Sequence, residues 1–292
     1  MNVFIFPGQG AQFPGMGLEA YKSSDKIKSL FNEADEILGF KLSKVMFEGT
    51  EDELKQTKVT QPAIFLHSIA ELYLKNNEST PDFVAGHSLG EFSALVANET
   101  MSFADGLKIV SIRAKAMQKA CENNKGGMAA ILGLDDETIE KTCENFNGYV
   151  IAANFNCPGQ VVISGNFDDV KLICEKFTEL GARRSLLLPV SGAFHSELMN
   201  DAKAELSEAI NNVSFQNPIC PIYQNVNGSP EIELEKIKIN LINQLTSPVK
   251  WTQSVKNMIN DGANNFTEFG PGKVLCGLVK KVDREVNVQS AF

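Results

Sequence analysis

Apolar residues along this chain come in two spacings. Short runs closed by Pro or Gly read as buried strands, and longer stretches with apolar residues three and four apart read as helices with one buried face. The opening run Val3-Phe4-Ile5-Phe6 is of the first kind and ends at Pro7-Gly8. A loop, Gly8-Gln9-Gly10-Ala11-Gln12, follows it. Ile27, Leu30, Phe31, Ala34, Ile37 and Leu38 make one helical face, and a further helix spans Ala63 to Leu74. Helical stretches dominate to about Asn76. Phe83-Val84-Ala85 is a second short strand, with Ser88 to Ala97 helical behind it. Ser102 is placed to cap a long helix reaching about Ala120.

From Gly127 the rhythm changes. Met128–Leu132, Tyr149–Ala153, Val161–Ser164 and Arg184–Leu188 read as strands, with helices over Glu137–Phe146 and Asp168–Leu180. That is β-α-β-β-α-β in about 65 residues, the ferredoxin-like order. Beyond it come a helix from His195 to Ile210, a strand near Ile219–Tyr223 and helices on either side of Trp251. A last strand, Phe266–Phe269, turns at Gly270-Pro271-Gly272 into a helix. Alternating strands and helices predict an α/β core with a mainly parallel sheet. On this reading residues 1–123 and 190–292 form the core, and residues 124–189 form an inserted ferredoxin-like subdomain.

Composition narrows the class. The chain has 292 residues, 43% of them hydrophobic, which excludes a disordered or collagen-like protein. Its 27 basic and 36 acidic residues give a net charge of -9, which argues against nucleic acid as the main partner. Only four of the basic residues are Arg: Arg113, Arg183, Arg184 and Arg284. Six scattered Cys without a CxxC pair, and only three His, argue against a bound metal. No signal peptide and no run of 18 or so apolar residues is present, so the expectation is a cytoplasmic protein away from membranes.

The main chemical signal is Gly86-His87-Ser88-Leu89-Gly90 between a predicted strand and a predicted helix. G-x-S-x-G in that setting is a nucleophile elbow. The tight turn pushes the Ser88 hydroxyl outward, and the Leu89 amide becomes a donor to an oxyanion. A serine nucleophile needs a base. His67 lies among apolar residues inside a helix, and His87 adjoins Ser88 on a turn where neighbours point apart. His195, in the small-residue loop Ser191-Gly192-Ala193-Phe194-His195-Ser196, is left by elimination. The triad acid of a hydrolase has no evident candidate. Asp105, Asp135, Asp136, Asp168 and Asp169 all stand at predicted helix starts, where caps and the helix dipole account for them. A Ser–His dyad oriented by a neutral group is the expectation.

Several segments converge. Phe6-Pro7-Gly8-Gln9-Gly10-Ala11-Gln12, Gly86-His87-Ser88-Leu89-Gly90-Glu91-Phe92-Ser93-Ala94-Leu95, Asn156-Cys157-Pro158-Gly159-Gln160-Val161-Val162-Ile163-Ser164-Gly165, Gly192-Ala193-Phe194-His195-Ser196 and Glu268-Phe269-Gly270-Pro271-Gly272-Lys273-Val274-Leu275 occur in this order. Together they resemble the malonyl-CoA:acyl carrier protein transacylases of type II fatty acid synthesis, from Phe6 to about Lys281. The resemblance implies a hydrolase-like α/β core with a ferredoxin-like small subdomain. It implies that Ser88 carries the acyl ester, His195 is base and then acid, and Gln9 and Leu89 line the oxyanion hole. It implies that Arg113 pairs with the malonyl carboxylate and that a backbone carbonyl near Gln244 holds the histidine. Phe194, Gln244, His87, Asn156 and Gln160 are the remaining candidate substrate contacts, and Phe194 is expected to favour malonyl over methylmalonyl. Asn154, Asn156 and Gln160, on the small-subdomain hairpin, suggest contact with the pantetheine arm, although Asn-Pro-Gly turns also arise for backbone reasons.

The partners implied are malonyl-CoA and acyl carrier protein, with no bound cofactor and no metal. A monomer is expected, and the length of the chain favours fatty acid over polyketide synthesis. Lys273, Lys280, Lys281 and Arg284 form one candidate carrier-facing cluster, which a solvated helix face explains equally well. Two other functions compete. A serine thioesterase or esterase would use the same elbow, and a non-catalytic carrier-binding scaffold would keep it as a relic.

Overall fold

A computed structural model describes residues 1–75, 80–190 and 192–291. Asn76 and Ser191, which fall in predicted segments, lie outside these. The strands are β1 (Asn2–Phe6), β2 (Phe83–Gly86), β3 (Gly126–Leu132), β4 (Val150–Cys157), β5 (Gln160–Asn166), β6 (Arg184–Leu187), β7 (Ile222–Tyr223), β8 (Pro230–Glu231), β9 (Asn265–Glu268) and β10 (Asn287–Ser290).

Six of them form one sheet in the order β10-β9-β1-β2-β7-β8. All of its pairs are parallel except β7 with β8. Val3 to Phe6 are all buried because β1 is central and covered on both faces, which explains the unbroken apolar run. The helices Asp25–Leu38, Thr57–Lys75 and Phe103–Asn123 bury their apolar residues in the larger core cluster, with Phe4 and Phe6. Trp251, Val255 and Leu278 pack with Val3 and Ile5 in a second cluster.

The other four strands form an antiparallel sheet in the order β4-β5-β3-β6. Helices Asp136–Glu144 and Phe167–Glu179 pack on it through Ile139, Cys143, Val170, Ile173 and Phe177. Met128, Ala153 and Val162 belong instead to the large cluster, so the small sheet leans on the main core with its opposite face. Phe155 N–H to Val249 O (2.9 Å) and Val249 N–H to Ala153 O (2.8 Å) tie the small sheet to the segment just before Trp251, whose Val249 packs in the second cluster.

Several predicted boundaries move, each for a physical reason. The helix expected from Ala63 begins at Thr57 and runs through Pro62. Proline disfavours a helix interior, but Val59 to Leu66 are buried, and tertiary packing overrides the local preference. No helix starts at His195, whose φ is +59°. Ser196 caps a short turn at Glu197–Met199, and the α-helix begins at Asn200. The helix after the elbow likewise begins at Gly90, because Ser88 has φ +52°. β4 runs on to Cys157 through buried Asn154 and Asn156. The edge strands β8 and β10, short or polar, carry no apolar run and escape a sequence reading.

Among the described residues, no helix is long and apolar enough to cross a membrane. All six cysteines are unpaired.

Candidate active site

The parallel register sets Phe6 beside Gly86, so the Gly8-Gln9 loop and the elbow leave the carboxyl ends of adjacent strands together. That end of an open parallel sheet is where ligands bind. His87 N–H donates to Phe6 O at 2.9 Å and sews the two loops at their root. The glycines of the elbow are steric necessities. A Cβ on Gly86 would overlap the Gly90 carbonyl, and one on Gly90 would overlap the Phe6 carbonyl.

Ser88 Oγ lies 2.8 Å from His195 Nε2. His195 Nδ1 lies 2.9 Å from the Gln244 backbone oxygen. A carbonyl only accepts, so Nδ1 carries the proton and Nε2 keeps its lone pair. Ser88 O–H therefore donates to His195, the orientation that general-base catalysis requires. Burial, and secondarily the charge of Arg113, lowers the His195 pKa to about 3, which keeps the ring neutral.

Arg113 is buried, 1% exposed, and reaches the cavity from the middle of helix Phe103–Asn123. Ser102 caps that helix by accepting from Asp105 N–H. Arg113 Nη1 donates to Gln61 Oε1 at 2.7 Å, and Nη2 donates to Gln244 Oε1 and to Ser88 Oγ, both at 3.1 Å. Its Nε–H is buried without a partner among the described residues. Burial lowers its pKa to about 10 while the neighbouring Glu91 raises it, so the group is cationic at neutral pH.

These groups border a cavity of about 500 Å³ between the two sheets. Gln9, Ser88, Leu89, Arg113, Phe194 and His195 line it from the core side, and Asn154, Asn156 and Gln160 line it from the small sheet. His87 also faces the cavity, but its Nε2 pairs with Asn156 Oδ1 at 2.8 Å and its ring neighbours Trp251. Burial lowers its pKa, so it too is neutral. Gln244 differs from its expected place. It is fully buried behind the site and does not border the cavity. Its side-chain amide donates to Ser88 O at 2.9 Å and to Glu91 Oε2 at 2.7 Å, so it orients the dyad from behind.

The C-terminal cations are only partly free. Lys280 Nζ donates to the carbonyls of Arg284 and Val286, and Lys281 Nζ donates to Gln160 Oε1 at 3.1 Å.

Three residues of the site carry no sequence signal that singles them out. Asn225 Oδ1 accepts from Ser88 N–H at 2.6 Å, and its Nδ2 donates to Gly86 O at 2.7 Å, so one side chain clamps both sides of the elbow. Glu91 accepts from Asn225 N–H and from Gln244. Gln61 holds Arg113 from the opposite side and is itself held by Met117 Sδ, 3.2 Å from its Nε2. Glu91 was the most accessible of the three, since it stands inside the elbow segment, but an acid in a helix's first turn has an ordinary dipole explanation.

The Acyl transferase domain model matches residues 3–291. The chain belongs to the acyl transferase family. This acyl transferase is 46% identical to the malonyl CoA-acyl carrier protein transacylase of Bacillus subtilis (strain 168) over 287 residues, 97% of this chain and 90% of the relative. Its fold superposes on the acyl-carrier-protein-S-malonyltransferase of Bartonella henselae with a TM-score of 0.96 at 38% identity, covering 99% of this chain and 95% of the other. It also superposes on a malonyl-transacylase in complex with its type II PKS acyl-carrier protein, with TM-score 0.95, 35% identity and coverage of 99% and 95%.

Proposed function

We propose that this acyltransferase moves a malonyl group from malonyl-CoA to the phosphopantetheine thiol of an acyl carrier protein through an ester on Ser88. The observation that carries the reading is the buried cation Arg113, which borders the cavity and stands within hydrogen-bond reach of the nucleophile. A guanidinium grips a carboxylate bidentately. A group anchored there places its thioester carbonyl against Ser88.

The steps follow from the geometry. Ser88 Oγ attacks the thioester carbon as its proton passes to His195 Nε2, and the oxyanion is received by the amide of Leu89 and by Gln9. Losing one such donor typically reduces the rate by ~10²–10³. On collapse the carbon–sulfur bond breaks, and His195 returns the proton to the CoA sulfur. The carrier thiol then attacks the ester with His195 as base, and Ser88 leaves with the proton. Gln244 keeps the imidazole tautomer constant through both halves. No step calls on a cofactor or a metal.

Asn154, Asn156 and Gln160 face the same cavity from the small sheet, which suits them to the pantetheine arm. We read residues 124–189 as a subdomain that closes over this arm, on a core of residues 1–123 and 190–292. Six free thiols suit a reducing cytoplasm, and we take the chain to act as a monomer, away from nucleic acid.

The test is product formation. Malonyl-CoA and a carrier bearing its phosphopantetheine should yield malonyl-carrier with the native protein and none with Ser88→Ala. Equal yields from both would overturn the reading.

A further inference from the structure

Ser88 Oγ has two partners with opposed effects. It donates its proton to His195 Nε2 and accepts from the Arg113 cation. Arg113 holds one of the two electron pairs of Oγ and, by drawing charge from the oxygen, makes the other a weaker nucleophile. During attack the negative charge builds on the carbonyl oxygen, not on Oγ, so a cation on Oγ favours the resting hydroxyl over the transition state. The same charge opposes the imidazolium that must form beside it, adding to burial, the main reason that His195 is a weak base.

The other contacts of Arg113 are braced. Gln61 is held by Met117, and Gln244 by Glu91 and the Ser88 carbonyl. The bond to Ser88 Oγ is the one that can yield, at 3.1 Å and shared on one Nη2 with Gln244. A carboxylate entering the cavity meets the Arg113 guanidinium beside Ser88, where Nη2 points at Oγ. As a charged acceptor it outcompetes a neutral hydroxyl.

We propose that the substrate's own carboxylate draws Arg113 off Ser88 and so releases the Ser88–His195 pair for attack. Selectivity for a carboxylated acyl group is then exerted on nucleophile reactivity as well as on binding. The inference rests on the proposed role of Arg113 as the carboxylate anchor.

Acetyl-CoA lacks only the carboxylate, and formate supplies one separately. Acylation of Ser88 by acetyl-CoA is followed by rapid quench and intact mass, with formate or with chloride at matched ionic strength. Formate should speed acetylation at least tenfold, and chloride should not. Arg113→Met, uncharged and of similar length, should acetylate rapidly without formate and ignore its addition. Should that variant fold poorly, His195 imidazole NMR in the native protein gives a second reading. The charged or titratable groups facing His195 are Arg113 and His87, and at neutral pH formate, unlike chloride, should shift the His195 Nε2 resonance as its hydrogen bond to Ser88 changes. Acetylation that formate leaves unchanged or slows, beside normal formation of a malonyl adduct, would overturn this inference alone. No Ser88 adduct from malonyl-CoA in any arm would overturn the proposed function and this inference with it.

Discussion

Replacing Asn225 by Ala removes the clamp on the elbow and nothing that borders the cavity. The side chain is fully buried and makes two short hydrogen bonds, to Ser88 N–H at 2.6 Å and to Gly86 O at 2.7 Å. Leaving two buried backbone groups without a partner costs about 1–3 kcal/mol each. Ser88 sits at φ +52°, a left-handed conformation unfavourable by ~1–2 kcal/mol for a side-chain-bearing residue. Relaxation of that strain offsets part of the loss. The net expectation is a fall in stability of about 2–4 kcal/mol, read by urea denaturation. Once the turn relaxes, Oγ moves off the line between His195 and the thioester, and a displacement of about 1 Å can lower the rate ~10²-fold. Single-turnover acylation by malonyl-CoA measures this directly. Ile173→Ala, which opens a hole in the core under the small sheet, is the matched control: about 2–5 kcal/mol less stable but near-normal in acylation. Asn225→Ala acylating at the native rate would refute the view that this clamp holds the nucleophile in place.

Stability should fall as pH rises from about 6.5 to 8. Burial, with the nearby Glu268 as a lesser cause, raises the Glu71 pKa from 4.5 to about 8, and its carboxyl accepts from Gly270 N–H. Between those two values the folded chain binds more protons than the unfolded one, so the stability from this group is lost as pH climbs. Glu71→Gln should flatten that slope by at most about 2 kcal/mol across the window, measured by urea titration at both pH values; an unchanged slope would place the titrating group elsewhere. Phe194, 7% exposed, narrows the cavity beside His195. Phe194→Ala should raise methylmalonyl-CoA use relative to malonyl-CoA by roughly 10-fold, the scale of one methyl group in a pocket, and an unaltered ratio in competition assays would remove Phe194 from selectivity.

Local chemistry was legible in the sequence, and long-range chemistry only where a motif, an elimination or the family resemblance pointed to it. The elbow reads from five residues because Gly86 and Gly90 answer to atoms a few positions away or on the adjoining strand. The inserted subdomain reads from element order, and its strand order β4-β5-β3-β6 is the one that pattern forms. The absence of a triad Asp pointed to a neutral partner for His195, and the Gln244 carbonyl occupies that place. Asn225 lies 137 residues from Ser88 and belongs to no motif, so only the fold brings it there. Gln61 precedes a proline that local rules set outside the helix, and its role appears only once packing draws Thr57–Lys75 into one element. The left-handed backbone at His195 is equally invisible beforehand, because it is imposed by the site and not by residue preference.

The central claim is that Ser88 passes an acyl group to a thiol and withholds it from water. The most direct measurement isolates the malonyl adduct after reaction with malonyl-CoA, maps it by peptide mass, and follows its decay with and without a pantetheine thiol. The adduct should sit on Ser88, persist in buffer and discharge rapidly to the thiol. Decay to free malonate at the same rate in both conditions would contradict it and make the protein a hydrolase.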